Sequence, residues 1–168
     1  MRTLTGDMFL GFRRFRGTAG EQHSTDPASG VRNGPGYGMD DGTGAAEACR
    51  LAGAAFDRYR ATPDTLRAAF LRRIAANLEA DGEQLVTCVL QETALGEARA
   101  RTELARTTGQ LRMFADLIDA PDWRDPRRVA ATDAAPEVRS RQVPLGPVVV
   151  FGASNFPLAF SVAGGDTA

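Results

Sequence analysis

The sequence predicts an α/β chain, mostly helical, that ends in the first strand of a truncated parallel sheet. Two observations carry this reading. Apolar residues recur at helical spacing between Ala45 and Asp119, and the β-branched apolar run Val148-Val149-Val150-Phe151 follows with turn residues on both sides. A length of 168 residues is enough for one domain with a hydrophobic core.

The first forty-odd residues are rich in glycine and short polar residues. Asp7 to Phe12 reads as a short strand ended by Arg13, Arg14 and Arg16, and that arginine cluster reads as a solvated hairpin rather than an anion site. From Gly17 to Gly44, punctuated by Gly34-Pro35-Gly36-Tyr37-Gly38, mostly loop is expected. Ala48, Leu51, Ala52, Ala55, Phe56 and Tyr59 then mark one buried helix face. Thr62-Pro63-Asp64 supplies an N-cap, a proline at the first helical position and an acid in the first turn, opening a helix that buries Leu66, Phe70, Ile74 and Leu78. Asp81 and Gln84 resemble a capping box for a third helix with Leu85, Val86, Val89 and Leu90 inward, and Leu95-Gly96 ends it. A fourth helix, from about Glu97 to Asp119, turns Leu104, Leu111, Phe114, Ala115 and Ile118 inward, and Pro121 stops it. Arg124 to Arg128 reads as a charged loop and Val138 to Val143 as an extended segment. Pro144-Leu145-Gly146-Pro147 is a turn before the apolar strand, and Ser154 or Asn155 can cap a helix starting near Pro157.

Composition narrows the function classes. An apolar fraction of 43%, a charged fraction of 24% and a net charge of −1 describe an ordinary globular chain and speak against a polyanion binder. All 20 basic residues are arginine, so neither a P-loop lysine nor a Schiff-base lysine is present in this chain. The single histidine, His23, excludes a multi-histidine metal site. Cys49 and Cys88 match no metal or redox spacing and read as small hydrophobes on apolar helix faces. No apolar run approaches the ~20 residues that span a bilayer, and Met1 to Asp7 does not read as a signal peptide. The expectation is a soluble, cytoplasmic chain without nucleic-acid or membrane partners.

A strand apolar on both faces needs neighbours on both edges, and a parallel neighbour needs a crossover of about a dozen residues. The chain supplies one such strand and a helix start near Pro157 and then stops at Gly164-Gly165-Asp166-Thr167-Ala168, so it is expected to be a fragment.

The stretch from Pro144 to Leu158 resembles the aldehyde dehydrogenase superfamily, which places a Pro-x-Gly turn, an apolar strand and an Asn-Phe-Pro turn at the first strand of its Rossmann-like cofactor domain. Most members carry Pro-Trp where this chain has Ala153-Ser154. Phe-Gly-Ala-Ser-Asn-Phe-Pro-Leu-Ala-Phe-Ser, followed by Gly-Gly-Asp-Thr-Ala, is similar to the NADP-dependent ketoglutarate semialdehyde (2,5-dioxovalerate) dehydrogenases. Ala54-Ala55-Phe56 with Tyr59-Arg60, Arg67 to Leu71, Glu92-Thr93 and Arg106 to Arg112 follow the family's order.

The resemblance implies roles at matching positions only. Asn155 matches the oxyanion-hole asparagine, whose amide donates to an aldehyde oxygen as a thiolate attacks; one such donor lowers a barrier by ~3–4 kcal/mol. Phe151, Ala153, Ser154 and Asn155 match the strand end that lines the cofactor, for which NADP is implied. On local chemistry alone Asn155 reads as a helix cap, and it is the surrounding motif that turns the reading to the oxyanion donor. The implied domains are an N-terminal loop with short strands over 1–44, the helical part of a cofactor-binding domain over 45–120, projecting oligomerisation strands over 121–143, and a truncated sheet start over 144–168. The family's nucleophilic cysteine, general-base glutamate and ribose-binding lysine all follow this motif, so neither Cys49 nor Cys88 is the nucleophile and Glu92 is structural. The implied function is the N-terminal portion of an NADP-dependent aldehyde dehydrogenase, homo-oligomeric when full length and inactive as this chain alone. Two other readings stay open: a non-catalytic truncated paralogue that acts as an interaction module, and a non-functional gene fragment.

Overall fold

The computed structural model describes residues 4–163. The Gly164–Ala168 ending, and residues 1–3 of the start read for a leader, lie outside the described residues. In chain order the elements are β1 (Met8–Leu10), β2 (Arg13–Phe15), β3 (Glu21–Thr25), β4 (Arg32–Gly38), α1 (Thr43–Arg60), α2 (Asp64–Ala80), α3 (Gly82–Thr93), α4 (Glu97–Asp119), β5 (Arg127–Val129), β6 (Val138–Ser140) and a short π-helical turn, Ala159–Ala163. The strands form two-stranded antiparallel ribbons, β1 with β2, β3 with β4 and β5 with β6.

The expected strand over Asp7–Phe12 is the first half of a hairpin, and Arg13 and Arg14 lie on its second strand. The segment from Gly17 to Gly44, expected to be mostly loop, instead holds the ribbon β3–β4. Asp26 makes its turn by accepting the Ala28 N–H at 2.8 Å and the Ser29 hydroxyl at 2.9 Å. The Gly34-Pro35 pair does not break the strand, because the register shifts between His23 and Ser24 and leaves those two residues in a bulge. Gly17 lets the ribbons meet, since a Cβ there would sit 2.1 Å from the Met39 carbonyl oxygen.

The helices stand where periodicity predicts them, with different caps and partly different faces. Pro63, not Thr62, is the N-cap of α2, and Asp81 precedes α3 without a side-chain cap hydrogen bond. Ala94 closes α3 in a left-handed conformation and α4 begins directly after Gly96. Helices α2 and α4 lie antiparallel, laced by Arg72 to Asp116 and Asp119 and by Glu79 to Arg112. Ala68, Ala75, Leu111 and Ala115 are buried, together with Thr107 and Thr108. Small residues on α2 allow this close approach, and they displace the expected face: Leu66 and Phe70 are exposed. A second cluster joins Val86 and Val89 of α3 to Ala100 of α4, with Leu90, Leu95, Leu104 and Leu158 packed against it.

Helix α1 departs most from expectation. Its only buried residue is Gly44, so its apolar stripe is not a buried face. Ala48, Leu51, Ala52, Ala55 and Tyr59 instead line a groove of about 1050 Å³ facing Phe9 and Phe12. Cys49 is exposed and Cys88 half-buried, so only the second thiol has the sheltered setting expected of both.

The charged stretch expected as a loop contains β5, which pairs with β6 from Arg127–Ser140 to Val129–Val138. Val148 to Phe151 forms no regular element and has no sheet partner among the described residues, and Val148, Val149 and Phe151 are exposed. The run has the composition of a strand buried on both faces, but the described chain offers no neighbouring strand to pair it.

Candidate functional site

The Asn155 motif forms a tight turn. The Phe156 N–H donates to the Ala153 carbonyl at 3.2 Å, closing an antiparallel bridge around Ser154 and Asn155. Both of those residues are exposed and Ala153 is half-buried. Phe151, two residues upstream, is 86% exposed. The structure therefore brings Ala153, Ser154 and Asn155 onto one turn, with Phe151 on the segment leading into it. Gly152 between them leaves room for the terminal turn, because a Cβ there would approach Ser161 Oγ to 2.3 Å.

Helix α4 holds this turn. The Phe156 ring lies under two guanidinium groups, Arg99 at 5.0 Å and Arg106 at 5.6 Å from its centroid. It also contacts the Phe160 ring at 5.0 Å between centroids. Arg99 Nη2 donates to the Asn155 carbonyl at 2.8 Å. Glu103 Oε1 accepts the N–H groups of Leu158 at 2.8 Å and Ala159 at 3.0 Å. The cap expected from Ser154 or Asn155 thus comes from a distant carboxylate. Arg99, Thr102, Glu103, Arg106 and Phe156 border a shallow cavity of about 380 Å³ beside the turn.

Two guanidinium groups against one carboxylate give the neighbourhood a positive balance, and an exposed asparagine at its edge can donate to a carbonyl oxygen gaining negative charge. Glu103 escaped the sequence reading. Its signal is an acid on the inward stripe that contains Ala100, Leu104, Thr107 and Leu111.

The cysteines belong elsewhere. Burial, and then the charge of Glu92, push the Cys88 thiol above its ordinary range, the opposite of an activated nucleophile. Among the described residues no group of three or more His, Cys, Asp or Glu could hold a metal ion, and no helix is long and apolar enough to cross a membrane.

Residues 18–164 match the model of the aldehyde dehydrogenase family. The chain is 46% identical over 176 aligned residues to alpha-ketoglutaric semialdehyde dehydrogenase 2 of Azospirillum brasilense, covering 98% of this chain and 33% of that protein. It is 44% identical over 126 residues to the alpha-ketoglutaric semialdehyde dehydrogenase of Acinetobacter baylyi, covering 72% of this chain and 24% of that protein. Aldehyde dehydrogenase 21 of Physcomitrella patens, solved with the reaction product succinate, superposes with a TM-score of 0.83 at 18% identity, covering 96% of this chain and 34% of that one. The chain spans about a third or less of the length of these relatives.

Proposed function

The chain belongs to the aldehyde dehydrogenase family, and from that premise we propose that it forms the N-terminal portion of an NADP-dependent enzyme oxidising ketoglutarate semialdehyde to a carboxylate. The observation that carries the reading is the exposed Asn155, presented on a turn that α4 fixes from two sides. In the proposed mechanism Asn155 donates its side-chain amide to the aldehyde oxygen as that oxygen takes up charge during thiolate attack. The attacking thiolate and the general base are assigned to segments other than this chain. Phe151, Ala153 and Ser154 would form one wall of the nicotinamide site. An exposed aromatic ring beside a glycine and an alanine suits a flat heteroaromatic ring, and the cofactor, when bound, would supply the hydride acceptor.

In the same reading, 1–44 is an N-terminal loop with short strands, 45–120 is the helical part of the cofactor domain, 121–143 pairs subunits into a homo-oligomer in the cytoplasm, and 144–168 begins the cofactor sheet. The identities to the two semialdehyde dehydrogenases support the substrate, and this chain contributes the oxyanion donor toward it.

The test is a graft. The purified chain, given ketoglutarate semialdehyde and NADP, is expected to show no NADPH absorbance. The same chain replacing the corresponding third of the Azospirillum enzyme is expected to be active and to lose ~10²–10³-fold in kcat on Asn155→Ala. Turnover by the chain alone refutes its inactivity, and a graft indifferent to Asn155→Ala refutes the donor role. A folded but dead graft favours the interaction-module reading, for which the bare groove between α1 and Phe12 is the supporting observation.

A further inference from the structure

The turn that carries Asn155 does not hold itself. The first N–H groups of any helical turn lack partners within it and need an acceptor from outside. Here Leu158 and Ala159 both donate to Glu103 Oε1, at 2.8 and 3.0 Å. Leu158 also packs its side chain on the Val86, Val89 and Ala100 cluster, which ties the turn to the core. The carbonyl of Asn155 also accepts from Arg99. Arg99, Glu103 and Arg106 recur at the spacing that places residues on one helix face, so a single face of α4 grips the turn by its N–H groups, its carbonyl and its aromatic ring.

Glu103 occupies this position at a cost. It is 4% exposed, and its second oxygen, Oε2, is buried without a hydrogen-bond partner among the described residues. Burying a bare carboxylate oxygen is unfavourable, and an apolar side chain would fill the same stripe without that penalty. What the carboxylate supplies in return is the pair of bonds at Oε1.

We propose that Glu103, acting with Arg99, is a positioning residue for Asn155: the buried carboxylate fixes the turn so that the asparagine amide meets an aldehyde oxygen already oriented. The proposal rests on the reading of Asn155 as the oxyanion donor. A donor held in place stabilises developing charge without reorganising, whereas a donor on a loose turn must first be ordered.

The experiment is residue-resolved amide exchange by NMR on the full chain and on Glu103→Gln, Glu103→Ala and Glu103→Leu. Loss of the acceptor in Glu103→Ala speeds exchange at Leu158 and Ala159 by about tenfold, the scale of one lost hydrogen bond, while Thr107 and Leu111 on α4 stay within about twofold. Glu103→Gln keeps an acceptor oxygen in the same place and restores protection. The Asn155 side-chain N–H₂ signal stays at its parent position in Glu103→Gln and moves toward that of free asparagine in Glu103→Ala. Glu103→Leu fills the volume without an acceptor and reproduces the loss, which separates the hydrogen bonds from the packing.

Unchanged exchange at Leu158 and Ala159 in the Ala and Leu variants overturns the proposal. Equal loosening of the turn and of α4 in both variants also overturns it, because Glu103 would then support only its own helix. The donor reading fails separately: a graft indifferent to Asn155→Ala removes it whether or not the turn responds to Glu103.

Discussion

Replacing Asp64 with asparagine removes one charge from the joint that locks the start of α2 to the chain leaving α4. The Trp123 indole N–H donates to Asp64 Oδ2 at 2.8 Å, and Arg124 donates to Oδ1 at 2.9 Å, where Arg67 also pairs. Both guanidinium groups lie against the indole, Arg67 at 5.4 Å and Arg124 at 4.9 Å from its centroid. The indole hydrogen bond, with the two arginines, holds the carboxyl below its ordinary 3.8, at about 2. At ~1.4 kcal/mol per pH unit, that displacement sets a ceiling of about 2 kcal/mol on what the charge contributes to stability. The side chain is 35% exposed, so solvent screening reduces the expected figure to about 1 kcal/mol. The sign follows from a carboxylate whose folded pKa is depressed. Its contribution is complete above the unfolded value and is lost as pH falls through the folded one, a window from about 4 down to about 2. The substituted side chain keeps an amide oxygen for the indole, so Asp64→Asn reports mainly on charge. Urea unfolding of the parent chain and Asp64→Asn, followed by far-UV circular dichroism from pH 7 to pH 2, should show the variant less stable at pH 7 and the difference closing toward pH 2. A difference that stays constant across that range would refute the electrostatic argument and assign the loss to geometry alone.

Two further outcomes follow from burial. Leu111, 1% exposed between α2 and α4, should cost ~2–5 kcal/mol on truncation to alanine, whereas Leu145, 94% exposed, should change stability by under ~0.5 kcal/mol; equal urea midpoints for the two variants would contradict the described core. A thiol-specific reagent near neutral pH should modify the exposed Cys49 before the half-buried Cys88, and the rate at Cys88 should keep rising above the ordinary thiol range, because burial and Glu92 disfavour its thiolate; a Cys88 rate that levels off within that range would count against that environment.

The helices were legible because periodicity and punctuation agree: Pro63 opens α2, Gly96 precedes α4 and Pro121 follows it. The β3–β4 ribbon was not legible, because Gly34 and Pro35 carry the same signal in a bulge as in a loop. Periodicity also identifies a face without identifying what covers it. On α2 the stripe through Leu66 and Phe70 has core composition, yet the helix meets α4 through Ala68 and Ala75, which let the backbones approach closely. Likewise, the turn that carries Asn155 was legible as a local motif, whereas the residues that support it were not. Glu103 is 55 residues from Leu158 in sequence, and a carboxylate on an inward stripe gives no local hint of which backbone it will cap.

The mismatches share a physical cause. The α1 stripe from Ala48 to Tyr59, Leu66 and Phe70 on α2, and Val148 to Phe151 are apolar in patterns that a folded chain buries, and each stands uncovered here. Scattered exposed apolar residues need no explanation, but contiguous ones signal a surface made for contact. Val86, Val89, Ala100, Leu111 and Ala115, by contrast, are enclosed by the chain itself. The Asn155 turn lies at the boundary between the two regimes, with Leu158 packed on the enclosed cluster and Phe151 exposed. That placement suits the proposed oxyanion donor: α4 holds the backbone of the turn through Arg99 and Glu103, and Asn155 itself is exposed.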